Sequence, residues 1–486
     1  MNTQSHTSRN EPWREELRKS IKTKARTDLP RVKMHELPAD YRKKNNEEVN
    51  CGLTPDEAQT EAKRCLDCPT PSCVQGCPVS ICIPDFIKSI EKGDILEAAK
   101  IIKQTSALPA VCSRVCPQEK QCEAECIYGK MHKDPVAIGY LERFAADYER
   151  ESGNMSVPER APLNGIKIAV VGSGPAGLSF ASDMSKRGFT VTVFEALHEI
   201  GGVLKYGIPE FRLPNAIIDV EIDMLKKLGV EFVTNCIVGK TITFEALQAE
   251  GYKGFFVGSG AGLPRFMHIP GENLIGVMSS NEYLTRINLM GALRKGDTPV
   301  LSGKRVAVVG GGNTAMDAVR TAKRLGAERA MIVYRRSEAE MPARIEEIKH
   351  AKEEGVEFLP LHNPVEYLAD EKGRVSAMRL QKMTLGEPDA SGRRSPVEIP
   401  GAIDTIEVDT VIVSIGVSPN PLVPSSLSGL DVSKWGTIMV NDGMQSSLPS
   451  IFAGGDIVRG GATVILAMGD GRKAAAAMSG YLMSTC

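Results

Sequence analysis

The sequence lacks an excess of either charge. Its 59 lysines and arginines face 60 aspartates and glutamates, for a formal net charge of -1. That balance excludes the basic footprint that nucleic-acid binding requires. It leaves the run Arg42-Lys43-Lys44 to be read as a solvated helix face. Long apolar runs are also missing. Met1 to Lys24 is polar and charged, with no signal-peptide core. The most apolar late stretch, Ala462 to Met483, is interrupted by Asp470, Arg472 and Lys473, so no membrane span is expected. Histidine is scarce at seven residues and no G-x-S-x-G turn occurs, which leaves little material for a Ser/His/Asp triad. What remains is an ordinary globular composition, 42% hydrophobic and 24% charged, in a chain of 486 residues. That length accommodates about three domains.

Cysteine is what the chain concentrates. Ten of 12 cysteines fall between Cys51 and Cys126. One run reads Cys65-x2-Cys68-x4-Cys73-x3-Cys77-Pro78; a second reads Cys112-x3-Cys116-Pro117 and then Cys122-x3-Cys126. Cys-x2-Cys places two sulfurs on one tight turn, and a later cysteine before proline commonly serves the other cluster of two-cluster ferredoxins. Zinc fits poorly, because only Cys65 and Cys68 form a C-x2-C knuckle. Without a secretion signal, such a segment favours metal ligation over disulfides and a reducing cytoplasm.

The first part of the chain carries short helical patterns. Thr54-Pro55-Asp56-Glu57 reads as a capping box opening a helix that delivers Cys65 at its end. Further helices are expected over Asp85 to Lys103 and Ile138 to Arg150, and a linker over Ser152 to Asn164. From Ile166, β-branched runs alternate with helices, which predicts parallel α/β sheets. The expected fold is α/β: a helical iron–sulfur domain over 1–160, then two Rossmann-like domains. These are a flavin domain in two parts, 161–285 and 406–486, and a nucleotide domain inserted at 286–405.

Two dinucleotide fingerprints support that division. Val171 is followed by Gly172-Ser173-Gly174-Pro175-Ala176-Gly177, a complete G-x-G-x-x-G between strand and helix. Gly172 permits the turn, Gly174 admits the pyrophosphate and Gly177 lets helix and strand pack closely. The phosphates then face the helix N-terminus. The next strand, Val191 to Phe194, ends at Glu195, where a carboxylate can accept from a ribose. The second fingerprint is Gly310-Gly311-Gly312-Asn313-Thr314-Ala315. Its second strand, Ala330 to Tyr334, ends in Arg335-Arg336, which suits a 2′-phosphate and so NADPH over NADH. Near the C-terminus, Ile451-Phe-Ala-Gly454-Gly455-Asp456 is a strand ending in an acid, followed by a predicted helix over Ala462 to Met478. Asp456 is placed to meet flavin ribityl hydroxyls.

With these motifs goes Gly201-Gly202-Val-Leu-Lys-Tyr-Gly207-Ile-Pro209-Glu-Phe-Arg212-Leu-Pro214. From roughly Arg31 onward the chain resembles the small (beta) subunits of NADPH-dependent glutamate synthase. Their relatives include the large subunit of NADH-dependent ferredoxin:NADP oxidoreductases and the N-terminal half of dihydropyrimidine dehydrogenases. The resemblance implies FAD, NADPH and two [4Fe-4S] clusters. One cluster takes Cys65, Cys68, Cys73 and Cys126. The other takes Cys77, Cys116 and Cys122, with Glu142 in place of a fourth cysteine and Cys112 as its competitor. It further implies flavin contacts at Glu195, Gly202, Arg212 and Asp456, and NADPH contacts at Gly312, Asn313, Arg335 and Arg336. Cys51, Cys82, Cys112, Cys236 and Cys486 are left as free buried thiols. No catalytic acid, base or nucleophile is expected, since the cofactors carry the chemistry. The chain has no room for an amidotransferase domain, so an electron-accepting partner is implied: a glutamate synthase large subunit, a small flavoprotein or a ferredoxin. Homo-oligomerisation stays open. The stretch Gly260 to Asn273 is closer to the stand-alone and ferredoxin-linked members.

Overall fold

The computed structural model describes residues 9–292 and 298–485. Its N-terminal part is helical. Thr54 Oγ1 accepts from Glu57 N, and Glu57 returns an acceptor to Thr54 N, closing the capping box of helix Pro55–Arg64; Cys65 is its C-cap. Where the sequence predicts one helix over Asp85 to Lys103, the structure has two, Ile83–Lys92 and Ile95–Lys103. Gly93 takes φ 94° and ends the first. Helix Ile138–Ser152 stops at Gly153 in the same left-handed way, and 154–164 holds no helix or strand.

Two five-stranded parallel sheets follow. In the first the order is Ile451–Ala453, Tyr252–Val257, Lys167–Val171, Thr190–Phe194, Val230–Val233. The late strand Ile451–Ala453 therefore returns to the sheet of the first fingerprint. The second sheet runs Glu357–Pro360, Arg329–Tyr334, Arg305–Val309, Thr410–Val413, Val277–Ser279. Two of its strands lie outside 286–405, so the expected cuts separate them from the sheet they pair with. The chain passes between the sheets twice, and those two crossings pair as an antiparallel ribbon, Ala261–Pro264 with Val417–Pro419. A three-stranded antiparallel sheet, His362–Ala369, Val375–Pro388 and Arg394–Glu407, completes the second unit.

One apolar core joins the helical part to the first sheet. It holds Phe86, Ile102, Val111 and Val115 together with Phe180, Phe256 and Met468. Phe180 and Phe256 stack at 4.3 Å. The last helix, Val464–Thr485, starts after a short helix, Asp456–Arg459. It presses on both neighbours through glycine: a Cβ on Gly471 would stand 2.3 Å from Ala176 O, and one on Gly469 would stand 2.9 Å from Pro78 O. Among the described residues no helix is long and apolar enough to cross a membrane.

The basic run at Arg42 departs from its reading as a solvated face. Arg42 is buried, and its guanidinium reaches Glu354 (3.1 Å), Glu353 and Glu36 (3.4 Å). A triplet of basic residues cannot reveal this, because two of the three acids, Glu353 and Glu354, lie some 310 positions away. Glu354 is the hub. It also accepts from Arg320 (2.8 and 3.1 Å) and Arg324 (2.6 and 3.1 Å). Arg324 lies 3.8 Å from the Phe211 ring centroid. Beside the hub, Arg212 joins Asp317 (2.7 Å) and Glu347 (3.1 Å).

Removing one member of a buried ionic network leaves the others uncompensated, at about 3–5 kcal/mol. Glu354→Gln is therefore expected to lower the thermal midpoint sharply, as read by calorimetry. Burial alone would raise the Glu354 carboxyl, but hydrogen bonds from Arg324 and Arg320 hold it at about 2 against an ordinary 4.5. A carboxyl held low contributes stability above its ordinary value and loses it as pH falls through the folded one. The difference in midpoint between wild type and Glu354→Gln should therefore shrink as pH drops from 4.5 toward 2.

Candidate functional site

Cys65, Cys68, Cys73 and Cys126 form one group. They sit at the end of helix Pro55–Arg64, in the turn after it, on the short helix Ser72–Gln75 and at the N-cap of Ile127–Lys130. Burial pushes the Cys65 thiol up to about 11 and raises Cys68 and Cys73. Charge on other members of the group adds to each. Such thiols ionise together only when a cation compensates them, which is what iron supplies. The turn itself is gripped from the N-terminus. Asp67 takes Arg14 and, at 2.6 Å, Arg18, and its carbonyl accepts from Arg9 at 2.7 Å. Lys88 Nζ donates to Cys65 O at 2.6 Å.

Cys77, Cys116 and Cys122 line a small enclosed cavity with Glu142, Cys112, Gln118 and Ile465. Glu142 Oε1 is buried without a hydrogen-bond partner. Burial, with Glu221 adding repulsion, pushes the Glu142 carboxyl up to about 8. An orphaned buried carboxyl is costly. Three thiols and this one free oxygen therefore fit a cluster that lacks a fourth cysteine. Cys112 shares the cavity and hydrogen-bonds Cys116, and its Sγ lies 3.3 Å from Met468 Sδ. All cysteines in the described residues are unbridged. Cys82, Cys112 and Cys236 are buried; Cys486 lies outside the described residues. Cys51 is exposed rather than buried, because it faces outward from the two-stranded ribbon His35–Glu36 and Asn50–Gly52.

The first fingerprint opens onto a cavity of about 1080 Å³, lined by Gly172, Ser173, Gly174, Glu195 and Gly202. Gly172 has φ 99°, and a Cβ there would meet Gly258 O at 2.6 Å. Gly177 stands behind the loop, where a Cβ would lie 2.1 Å from Gly172 O. Glu195 accepts from Ser173 N (2.8 Å), Ser173 Oγ (2.6 Å) and Leu197 N (2.8 Å), so its carboxylate is fixed at the strand end.

The second fingerprint opens onto a cavity of about 890 Å³, lined by Gly310, Gly312, Thr314, Arg335 and Arg336. Arg335 is exposed at its edge. Arg336 is buried, and the long hairpin holds it through Asp389 (2.6 Å) and Arg394 O (2.8 Å). Arg265 and Arg393 line the same cavity, and no motif spacing marks either of them.

Between these lies an inner chamber of about 450 Å³. Gly174, Pro175, Ala176, Gly455 and Asp456 reach it from the flavin side, and Asn313 and Thr314 from the nucleotide side. Gly455 N donates to Asp470 at 3.0 Å, and Arg459 holds that acid at 2.6 Å, so the turn bearing Asp456 is braced. Burial raises the Asp456 carboxyl. Arg212 lines this chamber, but its guanidinium is engaged by Asp317 and Glu347. Asn281 borders all three cavities, a placement that single-sequence reading misses. Val115 and Val464 wall the chamber, while their neighbours Cys116 and Ile465 wall the cysteine cavity.

Two family descriptions match the chain. Residues 42–154 match the family described as dihydropyrimidine dehydrogenase domain II, 4Fe-4S cluster. Residues 166–471 match pyridine nucleotide-disulphide oxidoreductase. The chain is 36% identical over 463 residues to the glutamate synthase [NADPH] small chain of Escherichia coli, covering 94% of this chain and 98% of that one. It is 40% identical over 438 residues to the NADP(+)-dependent formate dehydrogenase subunit beta of Moorella thermoacetica, covering 85% and 60%. In shape it is similar to Mycobacterium tuberculosis FprA in complex with NADPH, with TM-score 0.56 and 20% identity over 67% of this chain and 86% of that one. That likeness shows the fold alone. The chain belongs to the NADPH-dependent glutamate synthase small (beta) subunit family, and is an NADPH-dependent flavin and iron–sulfur oxidoreductase.

Proposed function

We propose that this chain is the electron-input subunit of a glutamate synthase. It draws electrons from NADPH and passes them through FAD and two [4Fe-4S] clusters to a larger partner that makes glutamate from glutamine and 2-oxoglutarate. The observation that carries the reading is the shared wall between the inner chamber and the cysteine cavity. Val115 and Cys116 are consecutive, as are Val464 and Ile465, and each pair contributes one residue to either side. When bound, FAD accepts two electrons from NADPH and the clusters accept them singly.

The chain's residues then have distinct tasks. Glu195 orients a ribose, and Asp456 meets the ribityl chain from its braced turn. Gly310, Gly312, Asn313 and Thr314 present backbone to the NADPH phosphates, and Arg335 and Arg336 pair with the 2′-phosphate. Cys77, Cys116, Cys122 and Glu142 hold the cluster nearer the flavin; Cys65, Cys68, Cys73 and Cys126 hold the farther one. A second reading, with a partner that makes something other than glutamate, is supported by the 40% identity to a formate dehydrogenase beta subunit. Chains that co-purify anaerobically from the native host separate the two. An amidotransferase-bearing partner supports the first reading, and its absence beside another electron acceptor sinks it.

Two variant sets test the assignments. Arg335→Ala with Arg336→Ala should weaken NADPH binding by about 100-fold or more, since charged hydrogen bonds contribute about 1.5–3 kcal/mol each. NADH binding should hardly change; equal losses for both would remove the 2′-phosphate role. Cys68→Ser and Cys116→Ser should each lower iron from about eight to about four per FAD while flavin still reduces with NADPH. Transfer onward to an added acceptor should fail in both.

A further inference from the structure

The segment Met341–Arg344 lies between the nucleotide loop and the second cysteine group. On the nucleotide side, Pro342 lines the NADPH cavity. Ala343 N donates to Gly311 O at 3.2 Å, and Arg344 N donates to Asn313 Oδ1 at 2.9 Å. On the opposite side the buried Arg344 guanidinium donates to Arg114 O at 3.1 Å and to Gln118 Oε1 at 3.0 Å. Glu346 (3.2 Å) and Glu119 (3.6 Å) balance its charge. These contacts bracket Cys116, two residues away on either side. Gln118 also lines the cysteine cavity and packs on Gly139, where a Cβ would stand 2.4 Å from Gln118 Nε2. Gly139 lies on helix Ile138–Ser152 within one turn of Glu142. A single residue thus holds the nucleotide loop by its main chain and the Cys116 turn by its side chain.

We propose that Arg344 is a positioning residue that links nucleotide occupancy to the reduction of the cluster held by Cys77, Cys116, Cys122 and Glu142. The proposal rests on the ligand assignment of the preceding subsection. Its physical basis is charge at close quarters. The guanidinium is permanently cationic and lies in a low-dielectric interior, where it favours an added electron on that cluster. A phosphate on Gly310–Gly312 draws on Arg344 through Asn313, whose Oδ1 accepts from Arg344 N, and so weakens the guanidinium's hold on the Cys116 turn. Linkage makes the effect reciprocal: reducing the cluster weakens nucleotide binding by the factor by which nucleotide disfavours reduction. Lysine would keep the charge but not the fork that reaches Arg114 O and Gln118 together.

The test is a redox titration of the anaerobically purified holoprotein, followed by electron paramagnetic resonance, with and without saturating 2′,5′-ADP. This probe carries the 2′- and 5′-phosphates and is redox-inert. The relevant signal is the one that Cys116→Ser removes. In wild type the probe should disfavour reduction by about fivefold or more. Arg344→Gln should lower the midpoint without nucleotide by about tenfold in equilibrium constant, about 59 mV for one electron, and abolish the response to the probe. Arg344→Lys should keep the midpoint and lose the response. Full iron and FAD content in both variants reports intact folding. A wild-type signal insensitive to the probe, or a response of equal size in Arg344→Gln with full iron, overturns the linkage. Unchanged iron in Cys116→Ser overturns the ligand assignment, and the proposal with it.

Discussion

The arrangement of the molecule depends on a buried lattice of charge around Glu354. Three guanidiniums converge on that carboxylate: Arg42 from the N-terminal segment, and Arg320 and Arg324 from the helix of the second fingerprint. One step away, Arg212 from the flavin side meets Asp317 and Glu347 on the nucleotide side. Each of these side chains is almost fully withdrawn from water. Isolated charges in that position would be expensive, so the lattice is tolerable only when all three regions come together in one orientation. Its contribution is therefore to geometry more than to net stability. Apolar contacts alone are less directional and would tolerate sliding between the two sheets.

That fixed orientation is what lets three cavities meet. The inner chamber has walls from both fingerprints and from the end of helix Pro109–Val115. The helix ends at Cys116, so the residue that turns away from the chamber is the one that carries a thiol into the next cavity. From the other side Gly469 lets the last helix lie against the Cys77–Pro78 turn. A larger residue there would push flavin domain and cysteines apart. Electron transfer between centres falls steeply with separation, so close backbone approach at glycine serves function as much as packing.

Local signals in the sequence translated well, and long-range ones did not. The glycine fingerprints, the capping box at Thr54 and the strand-end acids depend on neighbours within a few residues, where spacing carries the information. The break at Gly93 was equally local, yet apolar periodicity on both sides masked it. Arg42 reads as surface because Glu353 and Glu354 lie at the end of a distant helix beginning at Ile345 and just past it. Cys51 read as core because cysteine usually is, but a two-stranded ribbon has an outer face and Cys51 lies on it. Asn281 and Arg344 carry no motif at all. Their places follow from how the two sheets are joined, which only tertiary pairing such as Ala261–Pro264 with Val417–Pro419 discloses.

The two cysteine groups differ in a way that gives the proposed route a direction. Cys77 and Cys116 are buried beside the inner chamber and Cys122 is partly exposed, whereas all four of Cys65, Cys68, Cys73 and Cys126 are partly exposed. The outer group is also braced by ion pairs. Lys88 contacts Cys65 O, and Arg9, Arg14 and Arg18 converge on Asp67 inside the Cys65–Cys68 turn. Asp67 offsets the charge of Arg14 and Arg18, and Glu91 that of Lys88, so these contacts fix the turn, and exposure brings the group within reach of another protein. On the ligand assignment proposed here, the geometry orders the two groups: away from the flavin, through the more buried one, toward the face where a partner can collect the electron.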